Sequence, residues 1–176
     1  MSRMLCKCGA IMGSSVSPSP YSICVYYERE VQSAIADNPE ILLSDFLTEW
    51  DEVNGEHKVF TKRSEPVEYW YCTECQRVYE TQTQIGGHWL RVYHRTADQV
   101  PYISLEEWTR IYVLEDVETD AVLEESPKML LSDYLQMHAS VRYLLSPDER
   151  MVVAVSTENQ KVQFTYMQEA AEPVSK

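Results

Sequence analysis

The sequence predicts an α+β fold: two tandem copies of one small β-hairpin-plus-helix unit, the second copy lacking the metal ligands of the first. Three observations predict it. NPEILLSDFL at 38–47 returns as SPKMLLSDYL at 126–135, 88 residues on, with Leu, Leu, Ser, Asp and Leu identical. TECQRV at 73–78 returns as TENQKV at 157–162, 84 residues on, with Asn159 in the place of Cys75. The cysteines fall as two close pairs, Cys6/Cys8 and Cys72/Cys75, plus a lone Cys24. Two blocks repeated in one order at nearly one offset mark a duplication. The expected organisation is a metal-bearing unit at 1–95, a degenerate metal-free repeat at 96–168 and a flexible tail at 169–176.

The elements follow from local pattern. ICVYY at 23–27 is β-branched and aromatic and predicts a strand, followed by a helix over 28–36. Pro39 suits the first turn of a helix. Leu42, Leu43, Phe46, Leu47 and Trp50 then recur at helical spacing. Residues 58–62 predict a short strand. Residues 67–72 and 76–81 flank a tight connection and predict a hairpin. Gly86-Gly87 predicts a turn into a strand over 88–95. In the second copy, SLEEWTRIYVLED reads as a short helical turn and then a strand at 110–115; one continuous helix is the alternative. A helix over 127–138 and strands at 141–145, 151–156 and 161–166 complete the copy.

Each cysteine pair sits at a tight turn, and Gly9 permits the backbone twist after Cys8. Cys6, Cys8, Cys72 and Cys75 together offer four thiolates, the donor set of a closed structural Zn²⁺ site with no seat for water. Redox chemistry at Cys72/Cys75 and an iron–sulfur cluster are the alternatives; the spacings differ from the common ferredoxin runs. Cys24 reads as a small buried residue in a strand. In the second copy, Ser156 and Asn159 stand at the places of Cys72 and Cys75, so that hairpin is held by turn chemistry.

The residues Cys6, Cys8, Gly9, Trp70, Cys72, Cys75, Arg77, Val78 and Tyr79 give this chain a pattern that resembles small bacterial zinc-ribbon proteins, some of toxin-immunity type. The likeness covers about half the chain. It departs at Gln76, where many zinc knuckles have Gly. The resemblance implies a zinc-ribbon-like scaffold for each unit and, for function, an immunity protein.

The net charge is −13, divided as −4 over residues 1–95 and −9 over 96–176. Such a surface repels nucleic acid and anionic membranes and attracts a basic partner. No apolar run of transmembrane length appears, and the N-terminus lacks the apolar centre of a signal peptide. The expectation is a soluble cytoplasmic protein. His88 and His94 share one expected strand, but no nucleophile–base pair, phosphate loop or metalloprotease motif accompanies them. The chain is expected not to be an enzyme and to have no catalytic residues.

The leading functional expectation is an acidic binding protein that neutralises a basic partner, a cognate nuclease-like toxin. The candidate partner-binding residues are Glu106, Glu107, Trp108, Glu115, Asp116, Glu118, Asp120, Glu124 and Glu125, with Trp108 or Tyr112 as a buried aromatic anchor. The alternative is a zinc-ribbon nucleic-acid-binding or transcription-regulatory protein that uses Arg3, Lys7, Arg77, Arg91 and Arg95.

Overall fold

The computed structural model describes residues 3–13, 18–48, 51–53, 57–59, 67–81, 84–85, 88–89, 91–96 and 107–170. A short hairpin opens the chain: β1 (Arg3–Leu5) and β2 (Ile11–Gly13). Then come β3 (Ser22–Tyr27), α1 (Glu28–Asp37), α2 (Leu43–Thr48), the small pair β4 (Asp51–Val53) and β5 (His57–Val59), β6 (Val67–Tyr71) and β7 (Val78–Glu80). A second small pair, β8 (Gln84–Ile85) and β9 (His88–Trp89), precedes β10 (Val92–Thr96). The second half runs β11 (Thr109–Glu115), α3 (Asp116–Glu125), α4 (Leu131–Met137), β12 (Val141–Leu145), β13 (Met151–Ser156) and β14 (Val162–Gln168).

Eight of these strands close one antiparallel barrel, in the order β10-β14-β13-β12-β11-β3-β6-β7 and back to β10. This overturns the expected α+β fold of two tandem hairpin-plus-helix units. Each half supplies four strands, and a four-stranded sheet leaves two edges with unpaired N–H and C=O groups. The halves satisfy each other's edges instead of closing separately. The first strands pair, β3 with β11, and the last strands pair, β10 with β14. Mostly β structure with short helices is the result.

The 88-residue repeat has a geometric meaning in this barrel. Val25 faces Val113 across β3 and β11, and Leu42 faces Leu130 in a bridge between the helix pairs. The Leu43 N–H donates to Met129 C=O at 2.8 Å, and the Leu131 N–H donates to Ile41 C=O at 3.0 Å. Residues 88 apart therefore meet or exchange equivalent bonds, as a local two-fold axis requires.

The second repeated phrase has a different status. TECQRV and TENQKV make the same turn. Cys72 N–H bonds Arg77 C=O, and Ser156 N–H bonds Lys161 C=O, at 2.8 and 2.9 Å. Gln76 and Gln160 both take left-handed φ, 61° and 57°. By place in the barrel, however, β6, β7 and β10 answer β12, β13 and β14. The counterpart of the 72–77 turn is 146–151, where Ser146 N–H bonds Met151 C=O at 2.9 Å. Ser146, not Ser156, stands where Cys72 stands.

Alternation along each strand sends one face inward and one outward. The outward faces of β3 and β11 carry Tyr26 and Leu114, and all four helices lie over them. Val31, Leu43, Phe46, Leu131 and Tyr134 join these two residues in one buried cluster. In α1, Val31, Ala34 and Ile35 face this cluster at helical spacing. That helix ends where Asn38 N–H bonds Ala34 C=O at 3.0 Å and Pro39 stops the ladder; α3 ends the same way at Ser126 and Pro127. Pro39 thus terminates one helix rather than starting the next, and α2 begins at Leu43. Among the described residues no helix is long and apolar enough to cross a membrane.

Candidate functional site

The β1–β2 hairpin stands outside the barrel and lies against the β6–β7 turn. Its loop carries Cys6 and Cys8, and the turn carries Cys72 and Cys75. Both loops are tightly folded by their own backbones. Cys6 N–H bonds Ala10 C=O and Gly9 N–H bonds Cys6 C=O, both at 2.8 Å, with Gly9 at φ +94°. On the other side Gln76 N–H bonds Cys72 C=O at 2.8 Å. Behind the loops Met4, Met12, Trp70, Tyr79 and Val92 form a separate buried cluster that includes Cys6 and Cys72.

The four sulfurs converge. Cys6 Sγ lies 3.4 Å from Cys75 Sγ, and Cys8 Sγ lies 3.7 Å from Cys72 Sγ. All four atoms are within 4.8 Å of one another. A tetrahedral ion with sulfur ligands at ~2.3 Å holds them ~3.8 Å apart. The separations are too long for disulfides, and all five cysteines are free. Cys24 lies apart on β3, half-buried against the helix cluster.

The surroundings shape the thiols unequally. Burial pushes the Cys6 thiol up to about 12 and raises Cys72 as well. Burial also works against ionisation of Cys75. There, hydrogen bonds from the Arg77 backbone N–H, the Cys6 thiol, the Arg77 guanidinium and Cys8 outweigh it and bring the thiol down to about 7. A second layer orients the ligands. Tyr79 Oη accepts the Lys7 N–H at 3.0 Å and lies 3.1 Å from Cys6 Sγ. Arg77 Nη1 donates to Cys75 Sγ at 3.5 Å. Glu169 ties the two loops together, accepting Lys7 Nζ on Oε2 and Arg77 Nε on Oε1, each at 2.7 Å.

Sequence reasoning named the four cysteines but not Tyr79's hydroxyl or Glu169. Tyr79 had a signal: it is the outward position next to Val78 on a short strand. Glu169 had none, because it reaches the site only through the pairing of β14 with β10.

The predicted partner residues fall into three places. Glu106 lies outside the described residues, and Glu107 is exposed. Trp108 is half-buried and packs on Leu144, Val153 and Val155, and Tyr112 lies against the helix cluster under the Arg110 guanidinium. Glu115 ends β11 at the barrel mouth. Asp116, Glu118, Asp120, Glu124 and Glu125 all lie on α3, and the last four are exposed. Glu118 Oε1 lies 3.3 Å from His138 Nδ1. The strand expected over 88–95 is divided into β9 and β10. His94 lies on β10, 4.0 Å from Glu169.

A further feature was not anticipated. The barrel encloses a cavity of about 230 Å³ lined largely by aromatic and aliphatic side chains, among them Tyr69, Tyr71, Tyr143, Phe164 and Tyr166. At one end of it Glu149 holds two groups of the barrel, its carboxylate accepting Arg91 at 3.0 Å and the hydroxyl of the lining Tyr27 at 3.5 Å. The Glu149 carbonyl takes the Tyr93 hydroxyl at 3.0 Å. The signal existed in the sequence as alternation: Tyr69 and Tyr71 on β6, Tyr93 and Arg95 on β10.

Fold and site together define a closed eight-stranded barrel with an external four-cysteine clasp. The chain belongs to the family described as a domain of unknown function, DUF8617, whose model matches residues 2–116. That stretch holds all four clustered cysteines and the barrel strands from β3 to β11. No curated protein and no solved structure matches the chain.

Proposed function

We propose that this protein is a non-catalytic, acidic binding protein of the cytoplasm that neutralises a basic protein partner, an immunity protein or antitoxin against a nuclease-like toxin. The observation that carries the reading is α3. Five carboxylates lie within ten residues of one helix whose other face is anchored in the helix cluster. This gives a fixed acidic ridge suited to a groove of Lys and Arg that otherwise holds phosphates. The Cys6, Cys8, Cys72 and Cys75 cluster takes a structural Zn²⁺, since four thiolates fill its coordination and leave no position for substrate.

The nucleic-acid reading has less support. Lys7 and Arg77 are both engaged by Glu169, and Arg91 is engaged by Glu149 and Glu80. These cations are already neutralised and offer little to a phosphate backbone.

The test is protection. A basic nuclease encoded beside this gene is expressed in cells with the native chain or with the triple variant E118K/D120K/E124K. Protection by the native chain and its loss in the variant, with cysteine-bound metal content unchanged, supports the reading. Equal protection by the variant removes α3 from the interface, and absence of any protection removes the function.

A further inference from the structure

We propose that the barrel interior is a binding site for a small organic carboxylate with an aromatic or compact apolar body, whose carboxylate is taken by Arg95 at the mouth. Eight-stranded barrels of this size either fill their interior with side chains or hold one small ligand. Here about 230 Å³ is left open within a wall of tyrosine, phenylalanine and aliphatic groups. That surface suits a flat apolar body. At one end the lining phenols of Tyr27 and Tyr93 are tied to Glu149; at the other lie Tyr71 and the exposed Arg95 and Glu115, which we take as the mouth.

Among the described residues, Arg95 is the one cation in the cavity wall. Acids outnumber bases 28 to 15 in this chain, yet among the described residues none pairs with Arg95. Its guanidinium lies 4.2 Å over the Phe164 ring, and Nη1 donates to Gln76 Oε1 at 3.1 Å. Both contacts orient the group without neutralising it, leaving its remaining donors for a planar carboxylate.

Glu115, the one acid in the wall among the described residues, does not serve as that partner. β10 and β11 are four strands apart by either route around the barrel, so Arg95 and Glu115 stand on opposite walls. The phenols of Tyr71 and Tyr143 lie between them and feel both charges. The Tyr71 and Tyr166 phenols lie close to one another and complete a polar rim above the apolar chamber. Among the described residues neither group has an ion-pair partner; in so acidic a chain the informative one is the guanidinium of Arg95, exposed at the mouth over the Phe164 ring.

Calorimetric titration of the whole protein with phenylacetate tests this, with phenethylamine as the same body carrying the opposite charge. Saturable phenylacetate binding is expected, with phenethylamine at least about tenfold weaker. R95Q is expected to weaken phenylacetate by about tenfold or more, R95K to retain part of the affinity, and V113F, which fills the chamber, to abolish binding. Circular dichroism and metal content establish that each variant is folded. Absence of saturable binding by the native protein, equal affinity for the amine, or unchanged affinity in folded R95Q or V113F overturns the proposal.

Discussion

Cys75 and Glu169 show how single residues set the behaviour of the metal clasp. The Cys75 thiol is brought down to about 7, while Cys6 is pushed far up by burial. Metal uptake must remove the remaining protons, so affinity is expected to fall steeply as pH drops below neutral. The clasp closes a loop of 63 residues between Cys8 and Cys72. By the entropy of closing such a loop, losing it costs about 4 kcal/mol at most. C75S is therefore expected to lose bound metal and to lower the urea midpoint, and a chelator is expected to have little further effect on it. An unchanged midpoint removes the clasp from the stability of the fold.

Glu169 titrates in the opposite sense from a merely buried acid. Its pairs with Lys7 and Arg77 outweigh burial and hold the carboxyl below its usual range. A depressed folded-state value contributes stability above the unfolded-state pKa, and the contribution is lost as pH falls through the folded value. E169Q is expected to be less stable than native by about 1 kcal/mol near neutral pH. The two thermal midpoints should converge in acid, below the ordinary carboxylate range. A constant difference across pH indicates a packing defect instead.

At the scale of elements, the helix pairs carry the two-fold contact. Leu43 and Leu131 are each fully buried, 88 residues apart, in one cluster. L43A and L131A are each expected to cost about 2–5 kcal/mol. The double variant should depart from additivity, because both side chains line one core. Simple addition in denaturant titrations separates the two positions energetically.

Much at this scale was legible in sequence. β3, β6, β7, β12, β13 and β14 follow from short β-branched and aromatic runs between turns, and α1 follows from Val31, Ala34 and Ile35. The cysteine quartet was legible because two pairs at tight turns require no long-range knowledge beyond their meeting. Which strands pair across the halves was not, because a β3–β11 contact leaves no local mark on either strand. The chamber was hidden for the same reason. Tyr69 and Tyr93 share an interior only once the sheet closes. TENQKV misled because identical turn chemistry serves two different turns of one barrel.

At the scale of the molecule, each half is a sheet with two open edges. Two edge pairings, β3 with β11 and β10 with β14, join them. Chains split after Asp98 are expected to be poorly folded alone and to recover native circular dichroism when mixed. A half with a cooperative unfolding transition of its own contradicts this view.

Positions on the two-fold axis must fit their own counterparts, and they have stayed alike: Val25 with Val113, Leu42 with Leu130, Leu43 with Leu131. Away from the axis no such matching applies. A pair of identical subunits cannot change one member alone, but two copies joined in one chain can. The covalent link therefore permitted a division of labour that symmetry forbids. One copy carries a clasp of sulfur and the other a ridge of carboxylates, while the seam between them is kept in duplicate.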